Sequence, residues 1–175
     1  MIQTKADLYN CIAEDSGRYP ASYHLLKARF RKDFHYEVAC YLKLSRKFGY
    51  FYSNPSFINK IKYLFLTKRK NTIVNKFHAY IPMNTYGYGL MIYHGDIVIN
   101  SDARIDNFCS LHGNNCIGNK GTENVACPTI GDYVNIGWDR VINGDNLIGN
   151  NVITGVSTFV NNDIHDNSSF TTKSR

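Results

Sequence analysis

From residue 99 onward, aliphatic residues return at every sixth position. Ile99, Ile105, Leu111 and Ile117 form one phased run, and Ile130, Ile136, Ile142 and Ile148 form a second after a short interruption. Thr154 keeps the next slot polar and Val160 restores it. The following residue is Gly at 118, 131, 137, 149 and 155, and Asn at 100, 143 and 161. Helices repeat at 3.6 residues and half-buried strands at 2, so neither carries this beat. A β-helix of hexapeptide repeats does: each repeat is a short strand with its aliphatic side chain turned inward, then a corner. Gly and Asn suit the corners because they accept left-handed backbone at little cost. Three repeats close one triangular turn of about 18 residues, and stacked turns share a core that no single turn could bury. The fold class expected is mainly β, a parallel β-helix over 81–165 with room for about three and a half turns between 99 and 160.

Upstream the pattern is helical. Thr4 and Asp7 make a capping arrangement, and Leu8, Cys11, Ile12 and Asp15 follow helical spacing, so a helix is predicted over 4–15, ended by Gly17 and Pro20. Further helices are predicted over 21–32 and over 34–48. The second has Val38, Leu42 and Ser45 on one face and Gly49 as its stop. After the turn at Asn54-Pro55, a helix over 56–77 is expected to turn Phe57, Ile61, Leu64, Phe65 and Ile73 inward onto the coil. Lys60, Lys68, Arg69 and Lys70 would then face water. Amphipathic attachment to a membrane surface is the alternative for this segment. Pro82, Gly87 and Gly89 mark the transition. The organisation expected is an α-helical N-terminal region (1–80), the β-helix (81–165) and a polar tail (166–175), frayed or laid along the coil.

Composition narrows the class. At 175 residues, 43% hydrophobic and 19% charged, the chain has room for one domain with an appendage. No apolar run nears the ~20 residues of a membrane helix, and the N-terminus lacks the basic-then-apolar pattern of a signal peptide. A cytoplasmic protein is expected, with a peripheral position at the inner membrane face left open. Residues 1–80 carry 15 Lys and Arg against 5 Asp and Glu, and residues 81–175 carry 5 against 9. The basic half can meet anionic lipid or lipid-linked phosphate, or pair with the acidic half of a neighbouring subunit. Its charges are spread through helical patterns without a nucleic-acid module, so no nucleic acid is expected. The five cysteines (11, 40, 109, 116 and 127) form no paired framework and no CxxC, so reduced thiols and no metal site are expected.

His94 and His112 are 18 residues apart. In a coil with about 18 residues per turn, this places one imidazole directly above the other at one corner. Such a pair can act in acid–base chemistry, since imidazole exchanges protons near neutral pH. It can equally be two structural histidines.

The neighbouring residues carry a resemblance. His94 followed by Ile97-Val98-Ile99-Asn100, then Leu111-His112, then Ile117-Gly118-Asn119-Lys120-Gly121, then Asn124 through Asp132, resembles the hexapeptide-repeat acyltransferases of the serine O-acetyltransferase family. Within it the chain is most similar to the colanic acid type of bacterial polysaccharide acetyltransferases. The end, Gly149-Asn150-Asn151 through Asp163-Ile164 and Asp166-Asn167-Ser168, follows the same pattern. The resemblance covers about half the chain, roughly 81–169. It implies a left-handed β-helix, a homotrimer with sites in the clefts between subunits, and acetyl-coenzyme A as donor. It makes His94 the base that deprotonates the acceptor hydroxyl and His112 its companion. Coenzyme contacts are expected from Gly118, Asn119, Lys120, Gly137, Trp138, Arg140, Gly155 and Val156, and acceptor contacts from Tyr93, Asp96 and Cys127.

The chain departs from the serine-specific pattern. Ala79 stands at the family's Asp position, Ala126-Cys127 at its Arg-His dipeptide, and Tyr93 where an acidic residue precedes the catalytic histidine. Trp138, Asp139 and Arg140 stand where the family has small residues. The missing serine-recognition groups favour a sugar hydroxyl, in capsule or exopolysaccharide synthesis, as acceptor. Serine or another small acceptor is the second reading, and a non-catalytic β-helix that binds a partner or membrane through its basic half is the third. Cys127 has no adjacent basic partner, which disfavours a thiol nucleophile.

Overall fold

The computed structural model describes residues 2–20, 26–31, 33–121 and 125–171. They form two compact units, Met1–Phe77 and His78–Arg175.

In the second unit the six-residue beat becomes, among the described residues, thirteen short strands in three parallel sheets. The first sheet holds β1 (Ala79–Tyr80), β3 (Ile97–Ile99), β6 (Asn115–Gly118), β9 (Val141–Asn143) and β12 (Phe159–Val160). The second holds β4 (Arg104–Ile105), β7 (Thr129–Ile130) and β10 (Leu147–Ile148). The third holds β2 (Met91–Ile92), β5 (Ser110–Leu111), β8 (Asn135–Ile136), β11 (Ile153–Thr154) and β13 (Ser169–Phe170). From β3 onward the chain visits the three sheets in rotation until β12. The segment read as a tail over 166–175 thus supplies a strand, β13, paired with β11; residues 172–175 lie outside the described residues.

Pairing stacks like on like. Ile99, Ile117 and Ile142 make one column with Val160. Ile105, Ile130 and Ile148 make a second, and Ile92, Leu111, Ile136 and Thr154 a third. The aliphatic members are at most 2% exposed. Removing each from water stabilises the coil by roughly 1.5–3 kcal/mol. Thr154 keeps its place because its hydroxyl accepts from the Gly137 N–H at 3.1 Å and reaches the Asn135 carbonyl at 3.3 Å. A second inward position lies two residues before each aliphatic one: Ala103, Cys109, Asn115, Val134, Arg140 and Val152 are all buried.

The register is not uniform. Adjacent turns are offset by 18 residues where Ile97 pairs with Asn115, but by 19 where Met91 pairs with Ser110. They are offset by 25 where Arg104 pairs with Thr129. The last offset is the interruption of the beat, a loop between β6 and β7 whose residues 122–124 lie outside the described residues. Corners are left-handed in vertical series: Asp96, Asn114, Asp139 and Ser157 have φ of 59°, 48°, 58° and 49°. Asp and Asn accept this backbone because their short side chains bond locally.

In the first unit, α1 (Lys5–Gly17) begins with a reciprocal capping box. Thr4 Oγ1 accepts from the Asp7 N–H at 3.1 Å, and Asp7 Oδ2 accepts from the Thr4 N–H at 2.9 Å. The helix predicted over 21–32 is described as α2 (Leu26–Arg31), with 21–25 and 32 outside the described residues. α3 (Phe34–Ser53) is capped by Asp33 and runs past Gly49. Glycine inside a helix costs about 1 kcal/mol but does not stop it, and Gly49 is buried on the packed face beside Ser45 and Phe48. The stop is Asn54, whose N–H and side-chain amide both donate to the Tyr50 carbonyl, with Pro55 following. Asp15 and Arg46, both buried, join α1 to α3 through a forked pair at 2.7 and 3.1 Å.

α4 (Phe57–Phe77) departs from expectation. It packs on α3 through Tyr63, whose ring lies 4.4 Å from Phe48. Phe57, Ile61, Leu64 and Phe65, expected inward, are exposed, and no α4 residue is buried. Both faces of α4 are apolar, so a hydrophobic stripe alone could not say which one α3 covers.

Candidate active site

The corner joining the third sheet to the first gathers most of the candidate residues. The extra residue in the 19-residue offset falls here: Tyr93 to Asp96 lie over His112 to Asn114. It corrects the expected stacking. Tyr93, not His94, lies above His112, ring on ring at 4.5 Å and 16°. His94 is displaced outward, exposed, and meets Trp138 of the turn beyond edge-on, with ring centroids 5.6 Å apart.

Gly113 makes that approach possible. With φ at 112°, it adopts backbone that side chains avoid. A Cβ there would stand 2.7 Å from the His94 Cβ and 2.6 Å from Cζ3 of Trp138. In the next turns, Gly137 is packed against the Gly155 carbonyl with no room for a side chain. Trp138 and Val156 are exposed at 41% and 62% beside these glycines. The Asn114 side chain donates to Asp139 at 2.6 Å, and the backbone N–H of Asp139 donates to Gly113, fixing the turn that carries Trp138. The result is an exposed imidazole beside the Trp138 ring, with a second imidazole stacked on Tyr93.

Asp96, a candidate for orienting an imidazole, faces a histidine that the sequence reading did not single out. Nδ1 of His78 lies 3.3 Å from its Oδ1. The signal was available, since His78 precedes Asp96 by 18 residues.

Arg140 lies elsewhere than expected. It occupies the inward position before Ile142 and is fully buried. Its Nη2 donates to the Gly155 carbonyl and, at 3.2 Å, to that of Phe170, while the guanidinium lies 5.6 Å from the Phe170 ring. Its Nε and Nη1 are buried without a hydrogen-bond partner among the described residues. Burial lowers its pKa from the ordinary value. A side chain inside the coil cannot offer its charge to a coenzyme on the surface, so Arg140 leaves that set.

Gly118, Asn119, Lys120 and Cys127 belong to a different corner, between the first and second sheets. Asn119 donates to the Gly121 carbonyl at 3.0 Å, and exposed Lys120 lays its alkyl stem over Gly144. Burial, reinforced by Asp102 and opposed by Arg104, raises the Cys127 thiol pKa, which works against a thiolate nucleophile. Within one chain, then, the histidine corner holds Tyr93, His94, Asp96, His112, Gly137, Trp138, Gly155 and Val156. The loop corner holds the rest of the surface candidates. Among the described residues no group of three His, Cys, Asp or Glu could hold a metal ion.

Stacked parallel triangles with this corner chemistry define the hexapeptide β-helix class. The fold is the left-handed β-helix, preceded by a helical region, of serine acetyltransferases. The soybean apoenzyme matches with TM-score 0.73 and 20% identity, over 95% of this chain and 66% of that one. Isoform 3 of Entamoeba histolytica, solved with cysteine, gives 0.69 and 20%, over 96% and 58%. The Neisseria gonorrhoeae enzyme solved with serine gives 0.68 and 23%, over 94% and 66%. In sequence, the chain is similar to WcaB of Escherichia coli (strain K12), a protein provisionally described as a colanic acid biosynthesis acetyltransferase. The two are 41% identical over 85 residues, 47% of this chain and 52% of WcaB. The Shigella flexneri counterpart matches equally. The chain thus spans about half the length of the curated relatives it matches. No family model matches it.

Proposed function

We propose that the chain is an acetyl-coenzyme A-dependent O-acetyltransferase whose acceptor is a sugar hydroxyl in polysaccharide biosynthesis. The observation that carries the reading is His94, exposed at a glycine-cleared corner against Trp138, in a chain 41% identical over 85 residues to a protein provisionally described as a colanic acid biosynthesis acetyltransferase. His94 takes the proton of the acceptor hydroxyl. The hydroxyl oxygen attacks the thioester carbonyl, a C–O bond forms, the C–S bond breaks, and the proton passes to the departing thiolate. No covalent enzyme intermediate is needed, because holding both substrates together supplies the proximity term. Tyr93 and Trp138 present flat ring surfaces beside the imidazoles for a sugar ring to lie on. His112, stacked on Tyr93, positions the acceptor.

The reading includes a homotrimer. Flat-sided coils bury their faces against copies of themselves, and a three-fold contact can set the histidine corner of one protomer opposite the loop corner of the next. Gly118, Asn119 and Lys120 would then face coenzyme phosphates, with Gly137, Gly155 and Val156 along its pantetheine arm. It also places the protein in the cytoplasm, at the inner membrane face where lipid-linked sugars are assembled.

Acetyl transfer to serine is the second reading, favoured by the serine-bound structure among the fold neighbours. An acceptor panel separates the two. Thiol release from acetyl-coenzyme A is followed with sugars, sugar nucleotides and L-serine in turn. Release driven by a sugar supports the proposal, release driven by serine alone replaces it with the second reading, and no release with any acceptor removes both.

A further inference from the structure

The exposed face of α4 is a continuous apolar stripe bounded by positive charge. Phe57, Ile58, Ile61, Leu64 and Phe65 are 79%, 62%, 40%, 70% and 78% exposed. Their spacing of one, three, three and one puts all five on one side of the helix over two turns. The opposite side, with Tyr63 on Phe48, is the one α3 covers. Lys60 and Lys62 flank the stripe on its two edges, and Lys68 and Arg69 continue it. From Phe57 to Phe77 there is no Asp or Glu.

The stripe borders a groove of about 700 Å³ between α1, α3 and α4. Phe65 and Leu66 form part of its apolar lining, Lys5, Lys43, Lys47 and Lys62 supply charge, and no carboxylate lines it. A second, smaller hollow on the other edge, near 480 Å³, is lined by Phe51, Pro55 and Leu64, with Lys60 the one charged group. Contiguous exposed apolar patches are rare on proteins and mark contacts with protein, ligand or membrane. The charge decides which use. A purely apolar partner would leave the lysines nothing to meet, and a dimer through this face would bring two uncompensated basic rims together. No described helix is long and apolar enough to cross a membrane. An apolar stripe with basic flanks is suited to lie in the headgroup region of an anionic bilayer.

We infer that this face docks the protein on the surface of an anionic phospholipid membrane, with Phe57, Ile58, Leu64 and Phe65 entering the acyl boundary and the lysines meeting lipid phosphates. The inference is independent of the acetyl-transfer reading, since it uses none of the residues of the histidine corner.

The test is flotation of the full chain with phosphatidylcholine vesicles, with and without phosphatidylglycerol. Binding should require the anionic lipid and weaken as salt rises, because exposed charges are screened. L64S/F65S should reduce partitioning by about tenfold or more, given roughly 0.8 kcal/mol per buried methylene-sized group. K60Q/K62Q should reduce it by about tenfold on anionic vesicles. All four side chains are outside the core, so helical circular dichroism should be unchanged. Equal binding to neutral and anionic vesicles, or no binding to either, overturns the inference. So does wild-type-level vesicle binding by L64S/F65S, or an oligomer that this variant dissociates while vesicle binding persists, because the face would then be a self-association surface.

Discussion

Gly113→Ala tests whether the proposed acetyl transfer depends on the geometry of the histidine corner. Two costs add. At φ 112°, a residue with a side chain is strained by about 1–3 kcal/mol. The new Cβ also meets Trp138 at 2.6 Å and the His94 Cβ at 2.7 Å, an overpacking worth about 1–3 kcal/mol. The coil should lose ~2–6 kcal/mol in all. The two neighbours respond differently. Trp138 is 41% exposed and its ring can swing outward, whereas the His94 Cβ is attached to backbone and moves only with the corner. The imidazole is therefore displaced, and an error near 1 Å in a reacting group costs about 10²-fold. Denaturant unfolding followed by the fluorescence of the chain's single Trp gives the first quantity, and turnover of acetyl-coenzyme A gives the second. In a Trp138→Ala background, followed by circular dichroism, one of the two clashes disappears, so the penalties should fall short of additivity by about 0.5–3 kcal/mol. Wild-type stability together with wild-type turnover in Gly113→Ala would refute the reasoning.

Other consequences follow from single features. Arg46→Met removes the forked pair from the buried Asp15 carboxylate and should destabilise the helical unit by about 3–5 kcal/mol in urea unfolding, with Asp15→Leu added to it recovering part of the loss. Arg140→Met should leave coenzyme affinity unchanged in a calorimetric titration, because that side chain is inside the coil; a loss beyond tenfold would return Arg140 to the coenzyme site. Cys127→Ser should retain transfer, and alkylation of Cys127 in the wild type should accelerate only at a pH above the ordinary thiol range, since a raised pKa leaves less thiolate at neutral pH. Light scattering should give the mass of three chains, and coenzyme A at a hundred times its Kd should add about 2.7 kcal/mol of stability.

The coil was legible because its period belongs to no other element, and because the three aliphatic columns are, Ile92 apart, the phased residues themselves. The capping box of Thr4 and Asp7 was legible for the same reason: it is local. What escaped the sequence reading was register. Ile92 precedes Ile99 by seven residues, whereas Leu111 precedes Ile117 by six. That single extra residue puts Tyr93, rather than His94, over His112. Arg140, which the family resemblance put among the coenzyme contacts, stands two before Ile142, as Val134 stands before Ile136 and Val152 before Thr154. The position was inward whatever residue filled it. The stop at Gly49 and the facing of α4 failed for a tertiary reason: packing on α3 overrides both a glycine and a hydrophobic stripe.

The central claim is that His94 is the general base for direct acetyl transfer to a sugar hydroxyl. Its most direct measurement is the steady-state rate of acceptor-dependent transfer for the wild type, His94→Ala and His112→Ala, with the acetylated product identified by mass spectrometry. The account predicts an O-acetyl sugar, a loss of ~10²–10⁴-fold for His94→Ala with coenzyme affinity retained, and a smaller loss, chiefly in acceptor KM, for His112→Ala. A His94→Ala variant with wild-type turnover, or one that transfers normally while His112→Ala is inert, would contradict it.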